Sequence, residues 1–500
     1  MKKSILLVTF VLFFNIIFST LSISMTSQKD LFNNKMLIDY DPQVDTNITV
    51  KIDSIRLLNQ IDDDKNKNFF VKIFINNLEF ISQVFNNSKY LYNLNFSVTT
   101  DVPDDVEIVY IKIQLYDKYG ELDELCDISG DIINSDNISD AELLYNIKTG
   151  HWNGSDYIND PSGYGRLNGC DDGSIYKQEK DCELCFNIYQ NDFDGDNIPY
   201  WTEFYYFRTD PTFDNRGQDY NDDGIPIDWE WKWGFDPYIN YNHSKLDFDN
   251  DSISNFEEYL TKDFNSDPFR KDVFLEVDWM EEGPNGEKSV LPEEAKDRLK
   301  NPFHRRNIVF HLDTGEEKGG ELIPFEDKTN QASILELYND YFIHNNENNW
   351  RRGVFHYGII VNLCDMKGYG FSGDIAPYLG YIPGTNGFVI SSSQMEKNTQ
   401  KIIYEDKTLE NFYGSAIMHE MGHNFGIRFG EPIGCDNWFA KYPWKTSYWF
   451  IRGYKSIMNY QYTYRIFDYS DGSHGIQDYN DWAAIDLSYF EKPENPNFLK

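Results

Sequence analysis

The sequence Ile417-Met-His-Glu-Met-Gly-His-Asn-Phe-Gly426 contains the pattern that decides how the C-terminal half of the chain is interpreted. It ends a segment, residues 408–425, that its composition and periodicity predict to be a helix. Residues i and i+4 share one face of a helix, so His419 and His423 can bind one zinc ion. Glu420, one residue along, is then placed to act as the general base for a metal-bound water.

Two features that follow this helix strengthen the interpretation. Gly426 lies three residues after His423, where the chain must leave the helix in a conformation that glycine tolerates. Met458 follows His423 by 35 residues, in the short segment Ser456-Ile-Met-Asn-Tyr460. Together these features resemble the metzincin metalloproteases, whose pattern is H-E-x-x-H-x-x-G-x-x-H followed by a Met-turn.

The resemblance extends to a group of secreted prokaryotic metalloproteases that also carry aspartate-rich calcium repeats. It covers residues 270–500 with specific motifs and residues 191–269 more loosely. It implies a zinc endopeptidase that acts on a protein or peptide substrate, with His419 and His423 as zinc ligands and Glu420 as general base. It also implies that Met458 lies beneath the metal and that Tyr460 contacts the metal or the oxyanion.

One position departs from the family pattern. Phe429 stands where the third zinc-binding histidine is expected, and phenylalanine cannot bind zinc, although a catalytic zinc site needs three protein ligands. The candidates for a replacement are Asp436, Glu431 and His474, in that order. Asp436 is first because carboxylates bind zinc and because a disulfide at Cys435 would hold its backbone. The alternative is weak metal binding and a domain that has lost activity.

The chain is predicted to be multidomain. The resemblance implies that its last part, residues 270–500, is an α/β (α+β) catalytic domain of the metzincin type. Its strands and helices alternate along the sequence. The predicted strands are residues 272–278, 307–312 and 358–363, and the predicted helices are residues 292–299, 333–342 and 408–425.

Residues 191–269 contain three copies of a calcium-loop template. Each copy has oxygen-bearing side chains at positions 1, 3 and 5, an isoleucine at position 7 and a glutamate at position 12. The predicted calcium ligands are Asp192, Asp194, Asp196, Ile198 and Glu203; Asp219, Asn221, Asp223, Ile225 and Glu230; and Asp247, Asp249, Asp251, Ile253 and Glu258. At position 7 the backbone carbonyl is the ligand.

A solvated acidic linker is the alternative explanation for this segment, since aspartate, asparagine and glycine favour loops without any ion. A linker has no reason to keep the 1, 3, 5, 12 spacing, and here the first aspartates of the copies are 27 and 28 residues apart. Three matches in register therefore favour calcium.

The N-terminal part is predicted to be all β. Within residues 40–150, the runs 48–52, 69–75 and 109–116 alternate with period two, which fits a β-sandwich. Residues 151–190 are rich in Gly, Asp and Cys and are predicted to be a disulfide-tied connection. Six cysteines in an exported chain favour disulfides, and Cys364 with Cys435 is the expected pair in the C-terminal part.

Residues 1–24 are predicted to be a secretory signal peptide, because two lysines precede a short apolar run that is followed by small residues. An uncleaved membrane anchor is the alternative, but after cleavage we expect a secreted, extracellular or cell-surface protein without a stable anchor. The net charge of −37 argues against nucleic acid as a partner. Two functional hypotheses remain: a secreted, calcium-stabilised zinc endopeptidase, or an inactive protease-like binding or surface protein.

Overall fold

The structure is a computed structural model. It describes residues 45–58, 67–120, 122–133, 136–155, 164–175, 180–315, 319–364, 387–401, 408–428, 430–437, 440 and 442–488. The predicted signal peptide and Phe429 lie outside the described residues. All contacts below lie within the compact unit Asn47–Lys500.

The N-terminal region consists of short antiparallel strands. They are β1 (Thr46–Leu57), β2 (Lys67–Ile75), β3 (Leu78–Ile81), β4 (Phe85–Ser88), β5 (Tyr90–Leu91), β6 (Phe96–Val102), β7 (Ile108–Tyr119), β8 (Leu122–Cys126), β9 (Ile132–Ile133), β10 (Asp136–Asn137), β11 (Ala141–Asn146), β12 (His151–Gly154), β13 (Gly165–Asn168) and β14 (Cys182–Tyr189).

These strands form two main sheets, which fit the predicted β-sandwich. One sheet has the order β13-β14-β1-β5, with β6 also paired to β1. The other has the order β12-β11-β7-β2-β3, with β4 on β2 and β8 on β7. The alternation that predicted the strands appears in the structure, because every second side chain of β7 from Val109 to Asp117 is buried.

The segment 151–190 differs from the prediction of a connection. It supplies β12, β13 and β14, and β14 pairs with most of β1, from Thr49 with Tyr189 to Leu57 with Cys182. Its glycine and cysteine content hid the strand signal, since Cys182 is buried within a strand and no disulfide ties the described part of the segment.

Residues 191–269 form three loops, each followed by one or two helical turns. The turns are a π-helical segment (Thr202–Phe207), α1 (Ile227–Lys232) and α2 (Asn255–Leu260). Ser254 and Glu257 form a capping box at the start of α2, which satisfies backbone N–H groups that the helix cannot. This loop-then-helix order is the one that the calcium template requires.

The C-terminal region contains a parallel sheet and most of the helices. Its elements are β15 (Asp272–Met280), α3 (Glu293–His304), β16 (Val309–Asp313), β17 (Leu322–Ile323), α4 (Gln331–Leu337), β18 (Phe355–Val361), β19 (Gly387–Ser391), α5 (Ser392–Lys401), α6 (Leu409–Asn424), β20 (Ile433–Asp436), α7 (Thr446–Ile451) and α8 (Asp481–Ala484).

The sheet order is β16-β15-β18-β19, with β17 on β15, and all these pairs are parallel. The predicted alternation of strand and helix is therefore present, with shifted boundaries. The predicted helix 333–342 is α4 followed by a π-helical turn at Tyr338–Phe342, and α3 extends to His304.

Each face of this sheet packs against a different hydrophobic cluster. Val273, Leu275 and Val277 of β15 share one cluster with residues of α3 and α6. Phe274 and Met280 belong to the opposite cluster, which includes residues of α4. Among the described residues, no helix has the length and apolar composition that crossing a membrane requires.

Candidate metal sites

The helix α6 carries the histidine pair and ends where the sequence predicted. Thr408 caps its start by accepting a hydrogen bond from the Asn411 N–H. At the other end, Gly426 has a φ of +92°, and its N–H donates to the His423 carbonyl while the Ile427 N–H donates to the Gly422 carbonyl. These two bonds form a Schellman motif, which turns the chain sharply after the second histidine.

Backbone carbonyls fix the orientation of both imidazoles. His419 Nδ1 lies 2.9 Å from the Ile457 carbonyl, and His423 Nδ1 lies 2.6 Å from the Ile427 carbonyl. A carbonyl oxygen can only accept, so both Nδ1 atoms carry the proton. The Nε2 atom of each neutral ring is therefore left with a lone pair, which is the state that a metal ligand needs.

Asp436 meets both of these Nε2 atoms. Its Oδ1 lies 2.9 Å from His419 Nε2, and its Oδ2 lies 3.1 Å from His423 Nε2. All three side chains are largely buried, and their ligand atoms lie within 4.8 Å of one another. The structure thus brings together the two predicted ligands and the first of the three candidates for the third.

The backbone around Asp436 explains how it reaches the histidines. Asp436 is the last residue of β20 and has a φ of +52°, in the left-handed region. Its N–H donates to the Met458 carbonyl at 3.0 Å, so the predicted Met-turn holds the residue in place. Burial alone would raise the pKa of this carboxyl, but when both imidazoles also carry a proton on Nε2, their attraction and hydrogen bonds outweigh burial and lower the pKa well below its usual range.

The cluster needs positive charge between its members. Each Nδ1–H donates to a carbonyl, so the Nε2 lone pairs of the two neutral rings point at the Asp436 carboxylate, which can also only accept hydrogen bonds. Three buried acceptors at hydrogen-bond distance repel one another unless protons or a cation lie between them. Two imidazole nitrogens and a carboxylate are a donor set that zinc accepts.

Met458 lies against the helix α6 at Gly422, the residue before His423. A Cβ atom at Gly422 would be 2.4 Å from Met458 Sδ, so a larger residue there would force Met458 to shift. Met458 is fully buried, and its N–H donates to Ser456 Oγ. The predicted methionine therefore contacts the helix that carries the histidine pair.

The remaining predicted residues surround the cluster. Glu420 is 5% exposed, and the Tyr460 ring stacks on His419 with 5.5 Å between ring centroids and 19° between planes. The structure does not bring the other two candidate ligands into this cluster. Glu431 is exposed, and His474 Nδ1 lies 2.9 Å from Asp478 in a separate surface group.

The expected disulfide between Cys364 and Cys435 is absent, because both residues are thiols in the structure. Cys364 belongs to the hydrophobic cluster of Phe355 on one face of the parallel sheet. Cys435 belongs to the cluster of Leu275 on the other face. The sheet keeps the two thiols apart, so Asp436 is positioned by the Met458 carbonyl and not by a disulfide.

The three predicted calcium loops repeat the same contacts. In each loop the Oδ1 atom of the position-5 aspartate accepts the N–H of the position-7 isoleucine, and the isoleucine side chain is buried. The three pairs are Asp196 with Ile198, Asp223 with Ile225, and Asp251 with Ile253. In the first and third loops, the three aspartates at positions 1, 3 and 5 bring their oxygens within 4.8 Å of one another.

The glutamates at position 12 are buried, as the template requires. Glu203, Glu230 and Glu258 are each exposed by 1% or less. Burial raises the pKa of Glu203 to about 8 and that of Glu230 to about 9, and it raises the pKa of Glu258 well above its ordinary value. Without a cation, these carboxyls hold protons at neutral pH.

Each loop is also contacted by a residue from the following segment, which the sequence analysis missed. The Asn215 carboxamide donates to Glu203 in the first loop, and His243 Nε2 lies 3.3 Å from Asp223 in the second. In the third, burial raises the pKa of Glu258 and the carboxyl of Asp272 raises it further. In each loop the position-5 aspartate also accepts a backbone N–H from 18 to 21 residues later, that of Asn215, Tyr241 or Asp272, and this variable spacing gave no signal in the sequence.

The third loop has the highest density of carboxylates. Burial and the neighbouring Asp251 raise the pKa of Asp249 to about 10, and burial raises that of Asp272 to about 8. The Asp272 N–H also donates to Asp251 Oδ2 at 2.7 Å. Such a group can accept a divalent cation in place of its protons.

Three comparisons relate the chain to known proteins. No protein-family model matches it, and no curated protein matches it. Human GIVD cytosolic phospholipase A2 in complex with methyl gamma-linolenyl fluorophosphonate matches 29% of this chain and 17% of its own, at 13% identity and a TM-score of 0.19.

Two further solved structures match a similar share of the chain. A C2 domain matches 29% of this chain and 97% of its own, at 9% identity and a TM-score of 0.18. A domain of the same kind from plant extended synaptotagmin 1 matches 29% and 93%, at 12% identity and a TM-score of 0.19. TM-scores this low assign neither a fold nor a function.

Proposed function

We propose that the chain is a secreted, calcium-stabilised zinc endopeptidase. The observation that carries the proposal is the convergence of His419 Nε2, His423 Nε2 and the Asp436 carboxylate, with both Nδ1 atoms committed to backbone carbonyls. Asp436 would replace the histidine that the metzincin pattern places at Phe429. The first and third acidic loops would hold calcium.

The residues of this site have distinct roles in peptide hydrolysis. His419, His423 and Asp436 would hold the zinc ion, which supplies Lewis-acid chemistry when bound. Glu420 would accept a proton from the attacking water and pass it to the leaving amine. Tyr460, stacked on His419, would orient that ring and donate a hydrogen bond to the oxyanion.

Zinc content and peptide hydrolysis, measured on the same set of full-length variants, test the assignment. Asp436→Ala should weaken zinc binding by about ten- to a hundredfold or more, as expected for a change at the metal site. The matched control is Glu431→Ala, five residues earlier, which should leave zinc unchanged because Glu431 is exposed and outside the cluster. Equal zinc binding in both variants would refute Asp436 as a ligand.

Glu420→Gln separates binding from turnover. It should retain zinc and lose peptide hydrolysis, because the glutamate moves protons and is not a ligand. Zinc bound by the wild-type protein without hydrolysis of any peptide in a mixed library would favour the inactive, protease-like binding protein. Absence of zinc in the folded wild-type protein would refute the proposal itself.

A further inference from the structure

His243 lies at the second acidic loop, where the calcium template has no place for a histidine. It begins a short 3-10 turn (His243–Lys245) and is 1% exposed. Its Nε2 lies 3.3 Å from Asp223 Oδ2 and 3.7 Å from Glu230 Oε1. These three side chains bring their ligand atoms within 4.8 Å of one another.

Two buried polar atoms of this group lack a hydrogen-bond partner among the described residues. They are His243 Nε2 and Glu230 Oε2, in side chains that are 1% and 0% exposed. Leaving a buried polar atom without a partner destabilises the folded state, because the atom has lost its hydrogen bonds to water. Two such atoms on adjoining side chains therefore indicate a ligand that satisfies both.

The neighbouring amide can set the imidazole in the state that binds metal. The Asn255 carboxamide lies 3.2 Å from His243 Nδ1, and Asn255 Oδ1 has no partner among the described residues. The two ends of a carboxamide exchange by a half-turn of the side chain. With Oδ1 facing the ring, it accepts the Nδ1 proton, and the Nε2 lone pair then points at the two carboxylates.

Aromatic rings hold the imidazole in place and keep water away. Phe235 and Trp229 meet His243 edge-on, at centroid distances of 5.2 Å and 5.9 Å. The hydrogen bond at Nδ1 and the two aromatic contacts fix the orientation of the imidazole. The ring therefore loses little conformational freedom when it binds a metal ion.

We propose that the second loop binds a borderline divalent cation such as Zn2+ through His243, Asp223 and Glu230, instead of calcium. Imidazole suits zinc and related transition metals, whereas calcium takes oxygen ligands. At the first loop the side chain that approaches from the following segment is an amide, Asn215, and at the third loop it is a carboxylate, Asp272. The three copies of one template would thus hold two kinds of cation.

Equilibrium dialysis of the full chain against zinc and against calcium tests this site. The background His419→Ala/His423→Ala/His474→Ala removes the histidines of the two other clusters described above. Adding His243→Gln should weaken the remaining zinc binding by about ten- to a hundredfold and leave calcium binding unchanged. The control His344→Gln removes an exposed histidine and should change neither. Equal zinc affinity with and without His243 would overturn the proposal.

X-ray absorption of the same background, loaded with one equivalent of zinc in excess calcium, gives a second readout that needs no substitution in the second loop. Outer-shell scattering from imidazole is expected at the zinc edge. A spectrum with oxygen ligands alone would overturn the proposal. His243→Asp should convert the loop to an all-oxygen site and exchange its preference from zinc to calcium.

Discussion

Replacing Gly422 by alanine tests whether Met458 lies directly beneath the histidine pair. The added methyl group would lie 2.4 Å from Met458 Sδ and 2.9 Å from Tyr469 Cε1, and both side chains are buried. Carbon and sulfur atoms in contact need about 3.5–4.0 Å, so the overlap with Met458 exceeds roughly 1 Å. Overpacking of this kind costs about 1–3 kcal/mol, while alanine gains up to about 1 kcal/mol over glycine within a helix.

The expected net loss in unfolding free energy is therefore about 1–2 kcal/mol, measured by urea unfolding of zinc-free protein in calcium. In a Met458→Ala background the closest contact is gone and only the one with Tyr469 Cε1 remains, so the cost of Gly422→Ala should fall by about 1 kcal/mol or more. This dependence on the background is specific to a direct contact, because substitutions that do not touch each other have additive effects.

Gly414→Ala is the matched control on the same helix. Its methyl group would meet Phe467 at 2.9 Å and nothing of Met458. Its cost should be the same with and without Met458→Ala. If the cost of Gly422→Ala is also the same in the two backgrounds, the methionine does not lie under this part of the helix, and the placement of the Met-turn is wrong.

Three further predictions concern cations, pH and thiols. Because the folded pKa of Glu203 is raised from 4.5 to about 8, the chelated protein should lose stability as pH rises from 4.5 to about 8, and calcium should abolish this fall in melting temperature. Asp272→Asn should weaken calcium binding at the third loop about tenfold, yet raise the melting temperature in chelator above about pH 8, where the ionised Asp272 disfavours the charge of Glu258; a lower melting temperature under these conditions would contradict this. The Cys182 and Cys126 thiols are hydrogen-bonded to each other. Oxidised glutathione should therefore join them in a disulfide and release two reduced glutathiones. Mass mapping should find the peptides of Cys126 and Cys182 linked, and not those of Cys364 and Cys435.

The helix and its glycine could be predicted because they depend on local spacing, whereas Met458, 35 residues after His423, was expected only from the resemblance. A helix repeats every 3.6 residues, so the pairing of His419 with His423 follows from sequence alone. The left-handed φ of Gly426 likewise follows from the end of a helix. Such features need no knowledge of distant contacts.

The third candidate ligand could be named but not justified from sequence. One reason to rank Asp436 first is an expected disulfide at Cys435, and the structure does not contain this disulfide. What places it is a backbone hydrogen bond to Met458, 22 residues later, and spacing carries no information on such a pair. The same holds for His243, whose contact with Glu230 depends on how the second loop folds back on its own helix.

The acidic loops and the histidine cluster are joined by one strand. Asp272, which contacts the third loop through Asp251, is also the first residue of β15. The next residue along, Val273, belongs to the same hydrophobic cluster as Ile417 of the helix that carries the histidines. Negative charge that no cation neutralises at the third loop therefore acts at the start of β15, the strand against which α6 packs. The zinc site should depend more on the cation of the third loop than on that of the first, where Asp196 and Glu203 contact Asn215 within the repeats.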